Sequence, residues 1–351
     1  MIIDAVIHAY NFADDNLIYP PYSQRFGGGT FAHHRMWSPA NSEYILTEEE
    51  FVVDFDEEDT ADAVFGESPV DVAAYHHTPI YDFFRDGLVG IEKGARLKEA
   101  YPERVILYGG VPLLDKEESF RQLEELVSTY NIDGVKFYPA VFVEGRTVAT
   151  SLADETTAFP VIERAAELGI KNFAVHKSLP LGPTLTAPYH VDDVAAAAGA
   201  FPDLNFQIVH SGVAFTEETA MLLGRFPNVY ANLEGTFGYL ARKPRAFFES
   251  IGLMGEWGGY DRLLFASGCN IAHPAPLIER FLANDMPADL VEEHGFPGLD
   301  DEAKALILGG NYARIHGIDT SKTISPDKFT GRQSGSTRPW SRLRERTGAA
   351  A

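Results

Sequence analysis

Four short apolar runs of the chain end in histidine, a residue that can bind a divalent metal or transfer a proton near neutral pH. The runs are DAVIH, VAAYHH, NFAVH and NFQIVH, and they end in His8, in the pair His76 and His77, in His176 and in His210. A fifth run, NVYANLEG, carries Glu234 near its end. Imidazole and carboxylate ligands without sulfur suit zinc, iron and manganese. The sequence therefore predicts a metal centre where these runs end.

Four further polar residues lie in these or other apolar runs of the chain or follow them closely. Asp4 lies four residues before His8, and its burial would be costly without a nearby cation. Lys136, in GVKFYP, could pair with a carboxylate, bind an anionic substrate or, if carbamylated, bridge two metals. Asn270 and His273, in SGCNIAHP, are expected to orient the substrate or the ligands.

Each of these residues also has an ordinary structural interpretation. A single strand-end histidine is commonly hydrogen bonded rather than bound to a metal, so the prediction depends on several histidines converging. Cys269 could be a nucleophile near His273, but a lone cysteine after a buried run is usually packed in the core. Ser178 and Ser211 follow histidines without the G-x-S-x-G motif of a nucleophile elbow, and no Walker A loop is present.

Short β-branched and aromatic runs alternate with stretches of helical periodicity along the chain, which is typical of a parallel sheet. The eight predicted strands are 1–8, 70–77, 105–111, 133–138, 172–176, 205–210, 228–234 and 262–267. Eight strands with intervening helices predict an α/β fold, a (β/α)8 TIM-type barrel, whose strands end at the catalytic face. Successive strand residues point to opposite sides, so only one of His76 and His77 is expected to face the site.

The domain organisation predicted from this pattern is a barrel over residues 1–317 with two additions. Residues 9–68 form a long insertion after the first strand, expected to be a lid or a partner contact, or else a solvated excursion. Residues 318–351 form a tail with seven bases and three acids, a net charge of +4. Such a tail is either flexible or docks on an acidic neighbouring subunit, in a homo- or hetero-oligomer.

The charge balance excludes several classes of partner. The chain has 51 acidic and 29 basic side chains, a formal charge of −22, which disfavours nucleic acid and anionic membranes. No run approaches the roughly 18 apolar residues of a membrane span. A single cysteine excludes an intrachain disulfide, and the start of the sequence lacks the basic and apolar segments of a secretion signal. We therefore expect a cytoplasmic protein. The expected partner is a small-molecule substrate.

Taken together, these motifs resemble the amidohydrolase-related family, in the branch of aminocarboxymuconate-semialdehyde decarboxylase. The likeness spans about residues 1–318 and is carried by IDAVIH, GVKFYP, FAVHK, FQIVHSG, PNVYANLEG, LLFASG and GGNYARIHGI. It implies a metal-dependent barrel in which His8 is the second histidine of a His-x-His pair, His176 the strand-five ligand and His210 the strand-six histidine. Two positions depart from the family pattern, because Val6 replaces the first histidine and Gly268 stands where an aspartate is expected.

These departures leave three hypotheses. The leading one is a monooxygenase with a dinuclear iron or manganese–iron centre, served by separate reductase components, which resembles a small branch of such barrels. In it, His8, His176, His210 and Glu234 are the main ligands, joined by one of His76 and His77 and by Asp4. The first alternative is a hydrolase or non-oxidative decarboxylase with one zinc or manganese ion, in which His210 assists catalysis. The second is a catalytically silent partner subunit.

Overall fold

The computed structural model describes residues 1–321 and 338–348. Its main sheet has eight parallel strands, and neighbours in the chain are neighbours in the sheet. The strands are β1 (Ile3–Ile7), β2 (Val72–His76), β3 (Val105–Gly110), β4 (Gly134–Phe137), β7 (Asn172–His176), β8 (Asn205–Val209), β9 (Val229–Asn232) and β10 (Leu263–Leu264). An antiparallel hairpin, β5 (Ala140–Val143) and β6 (Arg146–Ala149), follows β4.

The sheet closes on itself between its first and last strands. The amide of Ala5 donates to the carbonyl of Phe265 (2.9 Å), and Ile7 forms a parallel bridge with Cys269. All eight strands predicted from the sequence are present at their predicted places, and the TIM-type barrel is confirmed. The hairpin β5–β6 was not predicted.

Helices join successive strands or follow the last strand, and they cover the outside of the barrel. They are α4 (Ile91–Ala100), α5 (Lys116–Tyr130), α6 (Ala158–Glu167), α7 (Asp192–Ala200), α8 (Thr216–Arg225), α9 (Pro244–Gly258), α10 (Pro274–Ala283), α11 (Ala288–Glu292), α12 (Asp301–Ala305) and α13 (Asn311–His316). Asn311 begins α13 and donates its side-chain amide to the carbonyls of Tyr260 and Leu263 (2.8 and 2.9 Å). These two bonds link the start of α13 to β10 and to Tyr260 just before it. Among the described helices, none is long and apolar enough to cross a bilayer.

Both faces of the barrel strands are buried, as their unbroken apolar sequences require. Inside the barrel, Tyr108 and Gln207 form a hydrogen-bonded layer with His316 from α13 (Gln207 Nε2 to Tyr108 Oη 2.7 Å, Tyr108 Oη to His316 Nε2 2.8 Å). Tyr312 is fully buried in the same region. This layer fills the amino-terminal half of the barrel and leaves the carboxyl ends of the strands for the site.

The insertion after β1 consists mainly of three helices, α1 (Pro20–Trp37), α2 (Glu48–Phe51) and α3 (Glu57–Ala61). The two short helices begin with capping boxes, Thr47 with Glu50 and Asp56 with Asp59, in which each side chain satisfies a free amide of the first turn. Acidic side chains of the insertion therefore stabilise the first turns of its own helices.

The end of the described chain forms a short helix, α14 (Ser341–Thr347), packed against α2 and α3. Residues 322–337 and 349–351 of the expected tail lie outside the described residues. In the described part, Arg344 and Arg346 pair with Glu50 and Asp59 of the acidic insertion of the same chain. An oligomeric assembly stays a prediction.

Candidate active site

A cavity of about 360 Å³ opens at the carboxyl ends of the barrel strands. Its floor is polar and is formed by residues from the ends of β1, β4, β7, β8 and β9. Its walls are mostly aromatic and aliphatic. The lining residues are His8, Tyr10, Tyr22, Arg25, Phe26, Gly29, Thr30, His33, Trp37, Thr78, Ile80, Leu88, Lys136, Tyr138, His176, Leu179, Pro180, Leu181, Gly182, Pro183, His210, Glu234 and Ile271.

Three side chains on the floor, His8, His210 and Glu234, face one another and are called here the His–Glu cluster. His8 Nε2 lies 3.5 Å from one oxygen of Glu234, and His210 Nδ1 lies 3.7 Å from the other. The three residues follow the last residues of β1, β8 and β9, respectively, so the parallel strands deliver them to one edge. All three are buried.

The proton on His8 can be placed from its other ring contact. His8 Nδ1 lies 2.9 Å from the carbonyl oxygen of His76, which can only accept a hydrogen bond. The Nδ1 atom therefore carries the proton, and in neutral His8 the Nε2 atom points a lone pair at Glu234.

The same argument fixes His210 through its neighbour His176. His176 Nε2 donates to the carbonyl of Leu179 (2.7 Å), so its Nδ1 accepts from Nε2 of His210 at 3.2 Å. His210 Nδ1 is then unprotonated in the neutral ring and faces Glu234. Within the described residues, neither this nitrogen nor Oε2 of Glu234 has a hydrogen-bond partner.

The His–Glu cluster thus directs two imidazole lone pairs toward one carboxylate. Burial raises the pKa of Glu234, but the charges that His210 and His8 carry when protonated, together with Lys136, outweigh it and hold that pKa well below its usual range. Burial lowers the pKa of His210 to about 4, so its ring is neutral at pH 7. When the His8 ring is neutral as well, three electron-pair donors face one another without a shared proton and repel, and a divalent cation removes that repulsion.

These donor atoms fit a metal ion, although the ligand shell is not preassembled. Across residues 1–321 and 338–348, no three His, Cys, Asp or Glu side chains are grouped as a ready metal site. His176, expected as a ligand, has both ring nitrogens engaged in hydrogen bonds, one with the carbonyl of Leu179 and one with His210. A second set of ligands, as two ions would need, is not seen in the described residues either.

Gly268, which stands where the resemblance implies an aspartate, explains the position of Glu234. A Cβ atom at Gly268 would lie 2.9 Å from Oε1 and 3.1 Å from Cγ of Glu234. The backbone of Gly268 also has a φ of +66°, which disfavours other residues. Glu234 therefore occupies the space that a side chain at 268 would need, and the carboxylate comes from the end of β9 instead of β10.

Lys136 and His76 form a second polar group beside the His–Glu cluster. The ammonium of Lys136 lies 3.3 Å from Nδ1 of His76, and burial lowers the pKa of Lys136 to about 8. Lys136 lines the cavity, whereas His76 does not and stacks on Tyr108. His77 points away from the barrel axis and accepts a hydrogen bond from the amide of Gly110 (3.1 Å).

Three other predicted site residues lie away from the cavity. Asp4 accepts hydrogen bonds from the amide and hydroxyl of Ser267, and burial raises its pKa to about 7. Asn270 accepts from the hydroxyl of Thr60 (3.2 Å), and His273 is bound to Glu67 (3.0 Å). These side chains brace the loop after β10, and none of them lines the cavity. Cys269 is buried beside them.

The walls of the cavity are the part that the sequence motifs did not indicate. Tyr22, Phe26 and Trp37 come from α1, which lies over the carboxyl ends of the strands, and Tyr10 and Tyr138 follow β1 and β4. The ring of Tyr138 stacks on His176 with centroids 5.4 Å apart. The only signal in the sequence is a series of aromatic residues three to six positions apart along 19–37, and it is indistinguishable from ordinary core packing.

Comparison with known proteins agrees with this architecture. The family model described as Amidohydrolase matches residues 3–318. The chain belongs to the amidohydrolase family. No curated protein sequence matches it.

Solved structures similar to this amidohydrolase share its fold at low identity. An uncharacterized TIM-barrel protein from Bordetella bronchiseptica has a TM-score of 0.65 at 18% identity, covering 90% of this chain and 98% of that chain. The 2,6-dihydroxybenzoate decarboxylase from Rhizobium has a TM-score of 0.54 at 15% identity, covering 91% and 100%. The 5-carboxyvanillate decarboxylase from Novosphingobium aromaticivorans, complexed with manganese and 4-hydroxy-3-methoxy-5-nitrobenzoic acid, has a TM-score of 0.55 at 14% identity, covering 90% and 96%.

Proposed function

We propose that the chain is a metal-dependent enzyme that decarboxylates a small aromatic acid without using oxygen, with one divalent ion, preferably manganese. The observation that carries this proposal is the His–Glu cluster, in which two unprotonated imidazole nitrogens and a carboxylate face one another on the floor of a largely aromatic cavity. Residues His8, His210 and Glu234 would hold the ion. When bound, it would act as a Lewis acid that polarises an oxygen of the substrate.

The residues around the cluster suit an aromatic anion. Tyr10 and Tyr138 line the cavity beside the floor, and the walls are mostly apolar, so a planar ring can be buried there without losing hydrogen bonds. Lys136 places a buried cation on the same floor and would pair with the negative charge of the substrate. His176 holds His210 in the tautomer that leaves Nδ1 free.

The dinuclear monooxygenase, the leading hypothesis from the sequence, gains no support from these findings. The family match does not indicate it, and the similar structures named above are decarboxylases or uncharacterized. No observation therefore supports iron, a second ion or reductase components. Decarboxylation replaces a carboxylate with a proton and needs no electron donor, which agrees with a single set of ligands.

Removal of the metal tests the proposed function. After dialysis against a chelator, we expect release of CO2 from a panel of hydroxylated benzoic acids to fall by about 100-fold and to return when manganese is added. The rates should be the same in air and under nitrogen. Turnover that requires oxygen and iron would favour the monooxygenase instead. Protein that neither binds manganese nor turns over any acid of the panel would favour the silent subunit.

A further inference from the structure

The last described segment of the chain, residues 338–348, is built into the fold and is called here the C-terminal clasp. Trp340 and Leu343 are buried, with 2% and 1% of their surfaces exposed. Trp340 donates its indole N–H to the carbonyl of Tyr44 (2.9 Å). Arg344 forms a buried ion pair with Glu50 of the insertion (3.0 Å), and Arg346 pairs with Asp59. The clasp therefore binds the acidic insertion through both apolar and charged contacts.

Glu67 joins the clasp to the barrel. One of its oxygens accepts the amide N–H of Trp340 (2.7 Å), and the other accepts the amide (2.8 Å) and hydroxyl (2.7 Å) of Ser341. The first oxygen also accepts from Nε2 of His273 (3.0 Å). Burial would raise the pKa of Glu67, but these donors lower it to about 2, so the carboxylate is ionised at neutral pH.

His273 ends the loop that follows β10, residues 267–273, here the β10 loop. Its ring lies between Trp340 and Tyr44, with centroids 4.9 Å from each, and its Nδ1 caps α10 by accepting the amide of Ala275 (3.2 Å). The clasp and Glu67 thus contact the carboxyl-terminal end of the β10 loop through the side chain of His273. Within the described residues, His273 makes no contact with the cavity.

The other end of the β10 loop contacts the His–Glu cluster directly. The amide of His8 donates to the carbonyl of Cys269 (2.5 Å), and the amide of Gly268 donates to the carbonyl of Val6 (3.1 Å). Gly268 packs against the carboxylate of Glu234, and Ile271 lines the cavity. A displacement of this loop would therefore move the backbone of His8 and open space beside Glu234.

We propose that the C-terminal clasp positions the site. Glu67 and His273 connect the clasp to the β10 loop and restrict the movement of that loop. Trp340, Ser341, Glu67 and His273 are positioning residues, since none of them lines the cavity. The geometry of His8 and Glu234 then depends on a segment more than 60 residues later in the chain than the last strand of the barrel. The expected change in metal affinity rests on the proposed function, whereas the expected change in the β10 loop does not.

The test compares full-length variants Glu67→Gln and Trp340→Ala with a matched control. Arg245→Gln is the control, because Arg245 is exposed and forms its ion pairs with Glu249 on α9 and Asp289 on α11, not with the clasp. Amide hydrogen exchange is followed peptide by peptide. In both variants we expect exchange in residues 267–273 to accelerate by about tenfold or more while β7 and β8 keep the wild-type rate.

Manganese affinity is measured on the same proteins by titration. The dissociation constant should rise by about tenfold in both variants and stay unchanged in Arg245→Gln. Equal acceleration of exchange in all strands, or none in the β10 loop, would overturn the proposed positioning role. Wild-type protein that binds no manganese would overturn the proposed function alone, because the exchange result still decides whether the clasp holds the loop.

Discussion

Replacing Glu234 with glutamine is expected to abolish manganese binding and to lower turnover by about 1,000-fold. The amide has nearly the same shape but no charge, so His8 Nε2 and His210 Nδ1 would face a neutral group that cannot compensate a divalent cation. The carboxylate is also the only acidic side chain that lines the cavity within the described residues. Metal content and turnover are measured together, with near-ultraviolet circular dichroism as the check on folding.

The matched control for this variant is Glu218→Gln. Glu218 is a partly exposed carboxylate that also contacts a histidine, His190, at 2.8 Å. Loss of that charge should leave both manganese binding and turnover within about twofold of wild type, as is usual for an exposed pair. Retention of full manganese affinity in Glu234→Gln would show that the carboxylate is not a ligand.

Replacing Lys136 with methionine is expected to lower turnover by about 100-fold while manganese binding persists. Methionine keeps most of the side-chain volume, but it removes the cation that would pair with the substrate. Because the ammonium lies beside His76 and is not a metal ligand, the metal should still bind, with equal or higher affinity once a nearby positive charge has gone. Steady-state kinetics with a manganese titration separates the two effects.

Lys304→Met provides the comparison for Lys136→Met. Lys304 is also a buried lysine, but it pairs with Asp285 in the loop between α10 and α11, and neither residue lines the cavity. Its replacement tests whether loss of a buried ammonium reduces activity through stability alone. Equal losses of activity in the two variants, or an unchanged rate in Lys136→Met, would contradict a role for Lys136 in binding the substrate.

The fold could be predicted because its strands are buried on both faces and therefore appear in the sequence as continuous apolar runs. The convergence of His8, His210 and Glu234 follows from the same pattern, since parallel strands in a closed barrel all end at one face. The sequence could not show which nitrogen of each ring faces the carboxylate. That depends on the carbonyls of His76 and Leu179, whose positions are set by tertiary structure.

Other features were beyond prediction for similar reasons. Gly268 looked like a lost ligand position, but its missing side chain is the space that Glu234 fills. His273 looked like a site residue because it lies in a polar motif after a strand, and its partner Glu67 is 206 residues away in the sequence. The acidic insertion and the basic end of the chain suggested contact between subunits. In the structure, residues 338–348 form ion pairs with the insertion of the same chain.

The most direct test of the account is crystallography of the protein soaked with manganese, using anomalous scattering to place the ion. We expect one strong peak per chain on the floor of the cavity, bonded to Nε2 of His8, Nδ1 of His210 and the carboxylate of Glu234. A peak bonded to His176 in place of these atoms, or no peak at the carboxyl ends of the strands, would contradict the metal site on which the proposed function depends.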